Sequence, residues 1–165
     1  MGRLPGFDYK RPFFYMVTMK GARSVPGKTG FAAAAPQLQF SRLEEGGALA
    51  DTALTPVLRA VIEYFHETWW CIERICYYVI MPDHLHLIIK MRDVEGRVSL
   101  AVVVRQLLKR LEAVSQASLR EAGASASPCA AAEPQLFEKD WHDWIVKKAR
   151  SARRFFWLAL AQSNE

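Results

Sequence analysis

Tyr77-Tyr78-Val79-Ile80-Met81-Pro82-Asp83-His84-Leu85-His86-Leu87-Ile88-Ile89-Lys90 reads as a pair of apolar strands flanking Pro82-Asp83, the second of which carries two histidines. Side chains alternate across a strand, so His84 and His86 share one face while Leu85 and Leu87 share the other. At about 3.3 Å of rise per residue, their Cα atoms stand roughly 6–7 Å apart, which lets both imidazoles converge on one divalent ion. The same spacing suits hydrogen-bonded histidines in a core or at a sheet edge, and it occurs in zinc enzymes and jelly-roll metal sites. The pattern defines a geometry and leaves the reaction open.

Working outward, Phe13 to Met19 is β-branched and aromatic enough for a first strand. Thr55-Pro56 opens a helix, with Thr as N-cap and Pro at the first position, and Val57, Val61, Tyr64 and Phe65 give it an apolar stripe. Trp69 to Ile75 is an edge strand or a connection. A helix led by Ser99 runs to about Ala117, with Leu100, Val104, Leu107, Leu108 and Leu111 inward and Arg105, Lys109 and Arg110 outward. A last helix begins near Val146 and carries Lys147, Lys148, Arg150, Arg153 and Arg154. Two stretches, 21–50 and 121–135, are rich in small residues and read as loop-like insertions. Gly27-Lys28-Thr29 in the first mimics a phosphate-binding loop, but Ala22 stands where that loop needs glycine. The element order gives an α+β class, an antiparallel sheet with helices packed on one face.

Length suits a single domain over 1–165. A hydrophobic share of 51% excludes a disordered chain. A net charge of +5 and a pI near 9.3 favour an anionic partner. Cys71, Cys76 and Cys129 are odd in number and irregularly spaced, which argues against a disulfide framework and for a reducing compartment. Cys71 and Cys76 would face opposite ways on one straight strand, which weakens a Cys-Cys-His-His zinc site. No apolar run is long enough for a membrane span, and no signal-peptide pattern opens the chain, so a cytoplasmic protein is expected.

The string Tyr78-Val79-Ile80-Met81-Pro82-Asp83-His84-Leu85-His86-Leu87-Ile88 closely resembles the HUH (His-hydrophobic-His) signature of the single-tyrosine transposases, and within them the REP-associated tyrosine transposases. Tyr9 to Thr18 resembles that family's first strand, and Phe137 to Val146 the segment leading into its last helix. The resemblance implies a ferredoxin-like sheet. It also implies Mg²⁺ or Mn²⁺ held by His84, His86 and a third polar ligand against a phosphate of single-stranded or hairpin DNA. A tyrosine on the last helix would attack phosphorus, nicking and rejoining the strand through a covalent link. The resembled proteins often act as dimers, which makes a homodimer an expectation here.

The chain departs from this pattern at its end. No tyrosine follows Tyr78, and by register the nucleophile position falls on Trp157 or Leu158. Gln162, four residues beyond Leu158, is the position the resemblance offers as third ligand. Arg105, Lys109, Arg110, Lys147, Lys148, Arg150, Arg153 and Arg154 are candidate phosphate contacts, and Trp69, Trp70, Trp141 and Trp144 candidate stacking platforms for unpaired bases. Each has an ordinary alternative as a solvated helix face or a core ring. Three other readings stay open: a catalytically inactive hairpin binder, a zinc hydrolase using His84, His86 and a Cys or carboxylate, and a decayed copy without function.

Overall fold

A computed structural model describes residues 6–22, 39–92, 98–121 and 135–146. The first strand, β1 (Phe14–Gly21), buries Tyr15, Val17 and Met19 on one face and leaves Phe14, Met16, Thr18 and Lys20 on the other. A short hairpin follows, β2 (Ser41–Leu43) and β3 (Leu49–Asp51), whose turn uses left-handed glycines at Gly46 (φ 100) and Gly47 (φ 82). It is the only regular structure described within the stretch 21–50.

Helix α1 (Thr55–Thr68) starts where Thr55-Pro56 predicts. Thr55 is its first helical residue and not its cap: the Thr55 hydroxyl donates to the Phe40 carbonyl at 2.6 Å and accepts from the Thr52 N–H at 2.8 Å. Its buried stripe is Leu58, Val61, Ile62 and Phe65. Tyr64, expected inward, is 52% exposed because it sits one position off that stripe. The long edge strand β4 (Ile72–Ile80) turns at Met81-Pro82-Asp83 into β5 (His84–Met91), and α2 (Leu100–Glu121) lays Leu100, Val103, Val104, Leu107 and Leu111 on the sheet. The segment Phe137–Val146, expected as a lead-in to a helix, is itself a strand, β6. Its ten residues pair with β1, so the fourth strand was hidden in what reads locally as a mixed polar and aromatic run.

The sheet order is β4-β5-β1-β6, with all three pairings antiparallel. Each helix connects two strands that are not neighbours, and both pack on the same face. This is the α+β, ferredoxin-like architecture. Tyr15, Val17, Met19, Leu85, Leu87, Ile89 and Met91 fill the core beneath the helices. On the opposite, open face a smaller cluster gathers Phe14, Met16, Cys76 and Tyr77 around buried Ile88. That open face is where the histidines project.

Candidate metal and nucleic-acid site

β5 is a central strand, so alternation puts Leu85 and Leu87 into the helix-side core at 0% exposure and His84 and His86 on the open face. The turn before it is pinned from outside. Met81 N–H donates to the His84 carbonyl at 2.9 Å, Phe40 N–H to the Pro82 carbonyl at 2.9 Å, and Gly21 N–H to the Asp83 carbonyl at 2.7 Å. A Cβ on Gly21 would lie 3.0 Å from that Asp83 oxygen, which is why glycine stands where β1 passes the turn.

The two imidazoles meet edge to face with centroids 4.6 Å apart, and their Nε2 atoms approach to 3.0 Å. Each ring is oriented from behind. His84 Nδ1 lies 2.6 Å from Asp83 Oδ1, and His86 Nδ1 lies 2.8 Å from Thr18 Oγ1. A carboxylate or hydroxyl behind a histidine fixes ring and tautomer, leaving the far nitrogen to a ligand. Burial, followed by the neighbouring His84 and opposed by Asp83, lowers the His86 pKa to about 4, so its imidazole is neutral at physiological pH. Two Nε2 atoms at this separation need a proton or a cation between them.

The pair fits a divalent ion. A 3.0 Å separation lets both nitrogens bond one ion at about 2.1 Å each. Among the described residues, no group of three or more His, Cys, Asp and Glu side chains forms a metal cluster. Within that set neither the Mg²⁺ or Mn²⁺ reading nor the zinc-hydrolase reading has a third ligand of these types. Cys71 belongs to the helix-side core and Cys76 to the open-face cluster, so they do not share a site.

The remaining predicted residues divide sharply. Gln162, Trp157, Leu158, Lys147, Lys148, Arg150, Arg153 and Arg154 lie outside the described residues. Arg105, Lys109 and Arg110 are exposed on α2, in the helix layer, with the sheet between them and the histidines. Arg110 sits 5.0 Å over the Tyr64 ring, and Arg105 Nε donates to the Ala101 carbonyl. Trp69 stacks on Phe65 at 4.8 Å, Trp141 packs against the helix-side core, and Trp70 is 56% exposed. The Tyr78 hydroxyl donates to Glu63 on the helix side, and Tyr64 is on α1, so neither faces the histidines. Tyr77 does share their face.

Two residues of this neighbourhood escape a reading of the sequence. Thr18 pairs with His86 on one side and with His142 on the other, so His86, Thr18 and His142 form one row across three strands of the open face. Strand register alone brings them together, and no local motif signals it.

Two of the solved structures similar to this chain are transposases or are assigned as such. A REP-associated tyrosine transposase bound to a REP hairpin aligns over 94% of this chain and 68% of its own, at 14% identity and a TM-score of 0.53. This chain shares that transposase's fold. A Deinococcus radiodurans protein provisionally assigned as a transposase aligns over 96% of both chains at 12% identity, but its TM-score of 0.45 is too low to bear on the comparison. No protein-family model and no curated protein matches the sequence. Among the described residues, no helix is long and apolar enough to cross a membrane.

Proposed function

We propose that this chain is a transposase-like protein that binds single-stranded or hairpin DNA on the open face of its sheet, with a backbone phosphate held at a divalent ion on His84 and His86. The observation that carries this reading is the 3.0 Å approach of the two Nε2 atoms, each ring oriented from behind. Mg²⁺ or Mn²⁺ bound there would polarise a phosphoryl oxygen and neutralise charge developing on it. The chain's own part is to keep the His86 imidazole neutral and both rings aimed and close together. A solved transposase of the same fold is bound to a REP hairpin, which supports DNA of that kind as the partner, as does the net charge of +5. A homodimer follows from the resemblance to that family alone.

Nicking and rejoining through a tyrosine is the reaction the resemblance implies, yet by register its nucleophile position falls on Trp157 or Leu158. That observation favours a second reading, a hairpin binder that does not transfer strands. One experiment separates these. Purified protein is mixed with a 3′-labelled single-stranded hairpin library, with and without Mn²⁺, and run on native and denaturing gels. The expected result is retention that depends on Mn²⁺ and is lost in His84→Ala and His86→Ala. A covalent adduct selects the strand-transfer enzyme, and retained but intact DNA selects the binder. No Mn²⁺-dependent retention overturns the reading.

A further inference from the structure

Lys20 lies near the end of β1, directly opposite His84 in the antiparallel pairing. Residues opposed in this way project from the same face with Cβ atoms about 4.5–5.5 Å apart. Met19 beside it is fully buried beneath the helices, which sets Lys20 on the open face with the histidines. The lysine is half-buried and forms no ion pair with another described residue. Lys90, also on the open face, is bonded to Glu73 at 2.6 Å, and the Asp83 carboxylate is engaged by His84.

The backbone holds Lys20 in place. The β1–β6 register slips between Met19 and Gly21, where Lys20 alone lies across from Glu138, Lys139 and Asp140, so the extra residues belong to β6. Gly21 then ties β1 to the Asp83 carbonyl, fixing the strand to the turn that carries His84. A lysine opposed to His84 and partly withdrawn from solvent stands where its ammonium group, on a flexible stem, can reach an anion held at the histidine pair.

We propose that Lys20 binds a non-bridging oxygen of the phosphodiester held at the His84–His86 pair, so that the phosphate is gripped from the metal side and the ammonium side at once. This rests on the DNA-binding reading above. Lys20 is then a substrate-binding residue and has no part in ligating the metal.

The test compares wild type, Lys20→Met, Lys20→Arg and His84→Ala. Mn²⁺ affinity is read by electron paramagnetic resonance. Affinity for a fluorescein-labelled oligothymidylate in Mn²⁺ is read by anisotropy across a salt series. Lys20→Met is expected to weaken oligothymidylate binding roughly 5–20-fold. It should reduce the salt slope by about 0.7, the contribution of one single-strand phosphate contact. Mn²⁺ affinity should not fall, and Lys20→Arg should keep most of the DNA affinity. Wild-type DNA binding and salt slope in Lys20→Met, with Mn²⁺-dependent binding still lost in His84→Ala, would overturn the role of Lys20 and leave the DNA-binding reading standing. Mn²⁺ affinity lost in both Lys20 variants would make the residue structural and likewise overturn it. A wild-type protein without Mn²⁺-dependent DNA binding would overturn both.

Discussion

The Thr18 hydroxyl and the Asp83 carboxylate do the same work on different rings, each meeting the Nδ1 atom of one histidine and leaving its Nε2 to face the other. Outer partners of this kind are worth about 10–100-fold in metal affinity. Thr18→Val keeps the shape of the side chain and removes only the hydroxyl. Mn²⁺ affinity measured by electron paramagnetic resonance should fall within that range, while the urea midpoint moves by no more than about 1 kcal/mol in stability. An unchanged Mn²⁺ affinity would mean that His86 needs no orienting partner. The His-Leu-His triplet is legible in the sequence because its alternation is local. Thr18 is not, because it lies 68 residues away and only the β1–β5 register sets it against His86.

At the scale of elements, two contacts hold the site's frame. The first is the passage of β1 across the Pro82-Asp83 turn. Gly21→Ala would place a methyl 3.0 Å from the Asp83 carbonyl oxygen and 3.2 Å from the Phe40 ring, and a backbone oxygen cannot swing aside. Crowding of this kind costs typically 1–3 kcal/mol, and here the strain falls on the residue that orients His84. Thermal unfolding and Mn²⁺ affinity should both decline in Gly21→Ala; a drop in stability with intact metal affinity would uncouple turn from site. The second contact joins α2 to the start of β6. Glu112 accepts the Leu136 N–H at 2.6 Å and the Phe137 N–H at 3.1 Å, and both donor residues are buried. Glu112→Ala strands these two donors, a loss on the order of 2–4 kcal/mol. Burial raises the Glu112 pKa above its ordinary 4.5 despite these hydrogen bonds. Relative to the unfolded chain, the folded state therefore favours the protonated acid. Its contribution is full below pH 4.5 and declines as pH rises through the raised value. Urea midpoints of wild type should fall across that window, and those of Glu112→Gln should be flat there. This contact also shows why β6 is not legible in its own residues: its place is set by an acid on α2 and by pairing with β1, neither of which those residues announce.

Across the whole molecule the sheet acts as a partition. The helices α1 and α2 with their amphipathic stripes and the shared face of the two histidines can be read from periodicity, because each reports a single element against a single core. Which face a charge serves cannot be read that way, since it depends on where the helix layer lies relative to the histidine strand. Arg105, Lys109 and Arg110 illustrate this: as a sequence they form a basic helix face beside a nucleic-acid motif, but they stand on the side of the sheet away from His84 and His86. A single strand lying on the open face does not reach them without rounding an edge of the sheet. Arg110 is moreover occupied with the Tyr64 ring. Their effect on a ligand at the histidines is then a through-space attraction, screened beyond about 10 Å at 0.1 M salt. Replacing all three by Gln should leave Mn²⁺-dependent binding of a short oligothymidylate within about two-fold at that ionic strength, with a larger loss only at low salt. If the triple variant instead loses affinity as strongly as His84→Ala at 0.1 M salt, DNA wraps from one face to the other and the helix layer is part of the binding surface.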